Sequence, residues 1–325
     1  MIEDQSLNKY LALFRKLRRD YKFGGAPHKP VLLLSVLQLF RNGTLSSNRV
    51  PIIPELVSAF KQNWSLLVDT PHDPNFALPF YHLRSEPFWE LMPKSGLEIA
   101  VTKSRSIRSF RNLKGALEFA VIDQELFRLM NDPHSSAMLE GEMLNQYFPR
   151  TQLAYQKNTG NLYWKSLVKQ LLEDSPETYL KRLKKLEKEL AEPEWEEERF
   201  VRGGIFKREV PRLYNYCCSI SGMKAESSTN AQLVDACHII PFAEYGFDDV
   251  SNGITLCPNL HRAFDRGLIM IDQEYNVCVS SALSESKTPY SIKQFHGKHI
   301  HLPENKNWWP SQDSFKWHRE NRFIV

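Results

Sequence analysis

The stretch VDACHIIPFAEYGFDDVSNGITLCPNLHRAFDRG, residues 234–267, constrains this chain more than any other part of it. An apolar, strand-like run, Leu233–Cys237, delivers His238. Asn252 follows fourteen residues later, directly before Gly253, and His261 nine residues after that, in a segment (Asn259–Phe264) of helical character. Singly, each has a bland reading, since a histidine is usually a surface or satisfied core residue and Asn-Gly is usually a turn. Together, at these intervals, they describe a strand, a loop and a helix that each present one polar side chain.

The order and spacing, with the surrounding words CHIIP, NGITLCPNLH and FDRG, resemble the HNH nucleases, whose fold packs two strands and one helix around a single metal ion. The resemblance implies phosphodiester hydrolysis. His238 is then the general base, because an imidazole takes a proton from water near neutral pH. His261 is a metal ligand, and if its helix runs on, Asp265 falls at i+4 on the same face as a second ligand. Asn252 holds the loop and strand that present His238. Many HNH sites place a metal-binding carboxylate or histidine directly before the general base, whereas this chain has Cys237, a soft donor poorly suited to magnesium. Asp235, on the same side of the strand as Cys237, is the expected replacement. The expected cofactor is one divalent ion, Mg2+ or Mn2+, with Co2+ as a third option.

Many HNH proteins also carry two Cys-x-x-Cys knuckles around a structural zinc. Here Cys218 is followed at that interval by Ser221 and Cys257 by Leu260, so free buried thiols and no structural zinc are expected. His296, His299 and His301 read as alternating polar residues of an exposed strand.

With 325 residues the chain has room for two domains. Its 42% hydrophobic and 25% charged residues exclude extensive disorder. No apolar run approaches the roughly 20 residues of a membrane span, and MIEDQSLNKY lacks the apolar core of a signal peptide. The odd count of five cysteines fits a reducing compartment, so a soluble cytoplasmic protein is expected. A net charge of +4 permits an anionic partner without requiring one.

The expected class is α+β: a mainly helical, loop-rich DNA-binding domain over residues 1–160, a helical linker over 161–200, and a ββα-metal nuclease domain over 201–325. Helices are expected over 5–20 and 30–42, packed turns between Pro51 and Pro93, and a connecting helix carrying Leu180, Leu183, Leu186 and Leu190. Pro193 and Glu194–Glu198 are expected to stop that helix, with Gly203-Gly204 as flexible chain. KSRSIRSFRNLK, residues 103–114, contains no acidic residue. If helical, it lines Arg105, Arg108 and Arg111 along one side as a phosphate-tracking stripe.

The words GGAPHKPVLLLSVL, LPFYHLRSEPFW and LNQYFP resemble the sulfur-binding domain of phosphorothioate-dependent restriction endonucleases, which couple it to a C-terminal HNH module. The resemblance implies double-stranded DNA in which sulfur replaces a non-bridging phosphate oxygen. It implies an apolar cup for that sulfur at Tyr147, Phe148 and Pro149, and cationic contacts at Arg105, Arg108 and Arg111. His28 and Lys29 stand at the start of an apolar helix, where they receive a phosphate or cap the helix; His82 and Arg84 are further candidates. One HNH site cuts one strand per event, so at least a transient homodimer is expected. Two rivals stay open: an HNH enzyme that reads a modified base such as methylcytosine, and a catalytically silent binder of modified DNA.

Overall fold

The computed structural model describes residues 2–98, 107–158, 160–225, 232–246, 248–286 and 288–325. The chain divides into two compact units, the first comprising Met1–Ser166 with Glu189–Val201 and the second Leu167–Lys188 with Arg202–Val325. Helices and small antiparallel sheets in both make the class α+β.

In the first unit the elements are α1 (Ile2–Arg15), α2 (His28–Arg41), β1 (Arg49–Pro51), α3 (Pro54–Leu67), α4 (Ala77–His82), β2 (Trp89–Pro93), α5 (Phe110–Ala116), β3 (Leu117–Ile122), α6 (Gln124–Asn131), α7 (Pro133–Tyr147) and α8 (Gln152–Lys157). The strands form one sheet in the order β1-β3-β2. Helix α2 is apolar nearly all round and is buried from Lys29 to Leu37, the pattern of a central helix. Between Pro51 and Pro93 the expectation of packed turns fails, because α3 is a four-turn helix. Pro54 opens it, in the position where a missing N–H costs nothing. Leu56, Val57, Phe60, Trp64 and Leu67 then bury one face at helical spacing.

The stretch expected to be a linker is divided between the units and consists of α9 (Leu162–Glu173), α10 (Pro176–Glu189) and the start of α11 (Glu192–Leu213). Pro193 does not stop a helix; it sits in the first turn of α11, where Glu192 and Glu194 also suit the positive end of the helix dipole. Gly203 and Gly204 are helical, not flexible chain. A Cβ at Gly203 would stand 3.4 Å from an Asp248 carboxylate oxygen, so the missing side chain lets that carboxylate lie against the helix.

The second unit adds β4 (Asp235–His238), α12 (Phe242–Tyr245), β5 (Gly253–Leu256), α13 (Pro258–Asp265), β6 (Ile269–Ile271), β7 (Val277–Val279) and α14 (Gln312–Asn321). β4 pairs antiparallel with β5, setting Asp235 opposite Leu256, Cys237 opposite Ile254 and His238 opposite Gly253. The C-terminal half of α11 covers this hairpin, its Phe206 and Val210 sharing one core with Ile254, Leu256, Leu260 and Phe264. The approach is close: a Cβ on Gly253 would stand 2.9 Å from Phe206 Cζ and 3.1 Å from Val210 Cγ2. Of the histidine-rich segment near residue 300, only an isolated bridge between Asn276 and His299 is β-like. No helix among the described residues is long and apolar enough to cross a membrane.

Candidate active site

His238 ends β4, and its Nε2 lies 2.9 Å from Oδ1 of Asp248, a buried carboxylate. A carboxylate accepts and does not donate, so this contact places the ring proton on Nε2 and leaves the Nδ1 lone pair to take a proton. The ring is fixed from its face by Phe206, stacked at 4.1 Å and 8°, and from an edge by Phe242 at 5.9 Å. Asn252 secures the chain just beyond. Its Nδ2 donates to the Ile240 carbonyl at 2.9 Å, its Oδ1 accepts from the Ile240 N–H at 2.8 Å, and its own carbonyl accepts from the Ile239 N–H at 2.9 Å. Asn252 is fully buried, so truncation would leave the Ile240 groups unpaired in the interior.

On the neighbouring helix, Cys257 precedes Pro258 and α13 carries His261 and Asp265 one turn apart. His261 Nε2 is 3.5 Å from Asp265 Oδ2, and its Nδ1 is 3.7 Å from Asp235 Oδ2. Cys237 is buried, with its Sγ 3.9 Å from Asp265 Oδ1; burial, with Asp265 beside it, raises its thiol. Among the described residues, Cys237, His261 and Asp265 form a group whose donor atoms lie within 4.8 Å of one another. Imidazole with carboxylate, and a thiol within reach, is a donor set that fits a divalent first-row ion. Asp235 approaches His261 but is not in that group, whereas Cys237 is.

A groove of about 620 Å3 opens beside these residues, lined by Asp235, His261, Tyr216 and, from α11, Lys207 and Arg208. Neither cation is marked by a motif. Asp248 was equally silent in the sequence: the loop offers adjacent Asp248 and Asp249, and spacing alone does not say which accepts from His238.

The cysteines are unbridged. Cys218 and Cys237 are buried, whereas Cys217, Cys257 and Cys278 are half-buried, so burial holds for only two of the five. The two knuckle remnants meet: the Cys257 thiol, followed by Ser221, hydrogen-bonds to Cys218 and lowers it, and Cys257, as donor, is raised.

In the first unit the expected DNA-facing residues separate. Arg105 lies outside the described residues. Arg108 is exposed but precedes α5, which begins at Phe110 with Ser109 as its cap, so Arg108 and Arg111 do not share a helical stripe. Arg111 is exposed and paired with Glu196 at 3.0 Å. Lys29 is a correction: it is buried on Glu86 at 2.5 Å and Ser85 at 2.7 Å, unavailable to a phosphate. His28 is a second: burial pushes it down to about 4, and it holds the Asp73 carbonyl at 3.0 Å while packing on Trp64, so it offers no cation at neutral pH. A basic neighbourhood does exist where His82, lowered first by burial, also feels Lys29, Arg84 and Arg108.

Tyr147, Phe148 and Pro149 line a cavity of about 290 Å3 with Arg19, Phe23 and Pro27. Phe148 is buried, Tyr147 half-buried and Pro149 exposed. The Tyr147 hydroxyl donates to the Phe14 carbonyl at 2.6 Å, and the Arg19 guanidinium lies 4.3 Å over its ring. Arg19 carries no sequence signal of its own and is brought here by the turn before α2.

The sequence profile described as HNH endonuclease matches residues 218–272. Over 66 residues, 20% of this chain, the sequence is 32% identical to anaredoxin of Nostoc sp., spanning 79% of that protein. Among solved structures, a modification-dependent TagI restriction endonuclease is similar at a TM-score of 0.28 and 20% identity, over 37% of this chain and 38% of that one. The type IV phosphorothioation-dependent restriction endonuclease ScoMcrA is similar at a TM-score of 0.37 and 11% identity, over 78% of this chain and 83% of that one.

Proposed function

This chain belongs to the HNH endonucleases through its C-terminal module, and from that premise we propose that it is a metal-dependent nuclease that recognises phosphorothioate-bearing DNA and hydrolyses phosphodiester bonds near the mark. The observation that carries the reading is the oriented His238–Asp248 pair, whose histidine ends the strand that also supplies Cys237 to the cluster with His261 and Asp265 of α13.

In this reading Nδ1 of His238 takes the proton of the attacking water. Asp248 holds the ring in the required tautomer and stabilises the imidazolium that forms, the role a buried carboxylate plays behind a histidine base. Phe206 prevents ring rotation, and Asn252 fixes the backbone from which His238 projects. His261, with Asp265 and Cys237 beside it, would hold a divalent ion, which would supply counter-charge to the phosphate at this site. Lys207 and Arg208 bind phosphates of the strand lying in the groove.

The first unit supplies selectivity. Sulfur is larger and a poorer hydrogen-bond acceptor than oxygen, so a cup built from Tyr147, Phe148 and Pro149 accepts it, while an ordinary phosphate oxygen there loses its hydration. Arg19 beside the cup, with Arg84 and Arg108 elsewhere on the unit, provides backbone contacts. A homodimer brings two sites to one duplex, and the cell's use of such an enzyme is restriction of modified foreign DNA.

The test is equilibrium binding of His238→Ala to three duplexes of one sequence, carrying a phosphorothioate, a 5-methylcytosine or neither. Retention of the sulfur duplex alone is expected; preference for the methylated duplex transfers the reading to a base mark, and equal binding discards modification dependence.

A further inference from the structure

The donor atoms around His261 do not form one undifferentiated shell. Its two ring nitrogens face different carboxylates, Nδ1 toward Asp235 at 3.7 Å and Nε2 toward Asp265 at 3.5 Å. These nitrogens point away from each other across a rigid ring, so a single ion takes one of them and the other is left to donate its proton. The third donor decides which. Cys237 Sγ is 3.9 Å from Asp265 Oδ1, and it is Cys237, His261 and Asp265 that bring donor atoms within 4.8 Å of one another.

The register explains this placement. Cys237 opposes Ile254 in the hairpin and is directed into the core beneath α13, whereas Asp235 stands one pleat earlier with most of its side chain exposed. A metal-bound histidine generally gives its second ring N–H to a carboxylate, and Asp235 is placed for that part.

On these grounds, and resting on the nuclease reading of this site, we infer that Cys237 is a ligand of the metal centre together with His261 Nε2 and Asp265. Asp235 is then a positioning residue behind Nδ1. The centre therefore prefers a thiophilic divalent ion of the zinc or cobalt kind to magnesium, which a sulfur donor serves poorly. Binding converts the Cys237 thiol to a thiolate, and one proton leaves for each ion bound, so no oxidant or reductant is involved.

The experiment is cobalt titration of the full chain, read by absorbance in the near ultraviolet, where thiolate sulfur bound to Co2+ gives a charge-transfer band, and by competition with Mg2+ and Zn2+. The wild type is expected to develop the band at one equivalent and to hold Co2+ and Zn2+ far more tightly than Mg2+. Cys237→Ala and the near-isosteric Cys237→Ser should both lose the band and at least about tenfold in Co2+ affinity, the scale on which even outer-shell changes act. Asp235→Asn should keep the band. A Cys218→Ser, Cys257→Ser double variant should keep it as well, because those thiols touch each other and not this cluster.

Cobalt bound without a band in the wild type overturns the inference and leaves a metal nuclease standing. A band that survives in both Cys237 variants also overturns it, since the sulfur then comes from elsewhere. A wild type that binds no divalent ion at all overturns the metal-dependent reading with it.

Discussion

His238 and Asp248 are ten residues apart in the chain and 2.9 Å apart in space, and in the proposed mechanism they work as one base. Asp248→Asn keeps the shape but replaces an acceptor oxygen with a group that donates, so the productive tautomer is lost. Its turnover should fall by about 10²- to 10⁴-fold with DNA affinity unchanged, as measured by single-turnover cleavage alongside equilibrium binding. A second residue speaks to stability. Glu197 is buried, its Oε1 accepts from the Phe76 N–H at 2.8 Å, and its Oε2 accepts no hydrogen bond from the described residues. Burial pushes it up to about 7 from an ordinary 4.5. The folded state therefore binds more protons than the unfolded state across that window. The contribution of Glu197 to stability is fully present below about pH 4.5 and is lost as pH rises through about 7. Glu197→Gln, which mimics the neutral form, should flatten that decline and raise stability at pH 8 by an amount on the order of 1–3 kcal/mol, measured by denaturant unfolding across pH. Neither Asp248 nor Glu197 was legible in the sequence, because their roles come from the third dimension: one lies against a glycine of a helix, the other at the N–H of a distant loop residue. His238, Asn252, His261 and Asp265 stood out because their order and spacing resemble those of the HNH nucleases, and one helical turn brings His261 and Asp265 to 3.5 Å.

At the scale of elements, α11 is the piece the sequence hid most thoroughly. Its proline and glycine pair read as a stop and a flexible joint, yet Pro193 opens the helix and Gly203 admits the carboxylate of Asp248. Breakers mark helix ends only on average; where a glycine is needed for close approach it sits inside the element. α3 was obscured in the same way by the prolines before it, although its apolar face repeats at helical intervals. The contact of α11 with β5 yields a prediction. Gly253→Ala would put a methyl group 2.9 Å from Phe206 Cζ, and Phe206 is the ring stacked on His238. Overpacking of this kind costs about 1–3 kcal/mol. The expected outcome is a loss of that size in unfolding free energy together with slower cleavage; unchanged cleavage in a destabilised variant would show that the Phe206 stack does not position the base.

For the whole molecule, the +4 net charge is too small to specify a partner, and the division into two units assigns recognition to one and chemistry to the other only through the proposal made here. One nuclease site per chain cuts one strand at a time. If two protomers act on one duplex, the initial rate of double-strand breakage should rise faster than linearly with protein concentration while nicking stays linear. Binding that rests on phosphate contacts should also weaken as salt rises. The most direct measurement is cleavage of two duplexes identical except for a single stereodefined phosphorothioate, each with Mn2+, Zn2+, Mg2+ or EDTA. The account predicts cutting of the sulfur-bearing duplex alone, abolished by EDTA and by His238→Ala; equal cutting of both duplexes, or cutting that persists in EDTA, would contradict it.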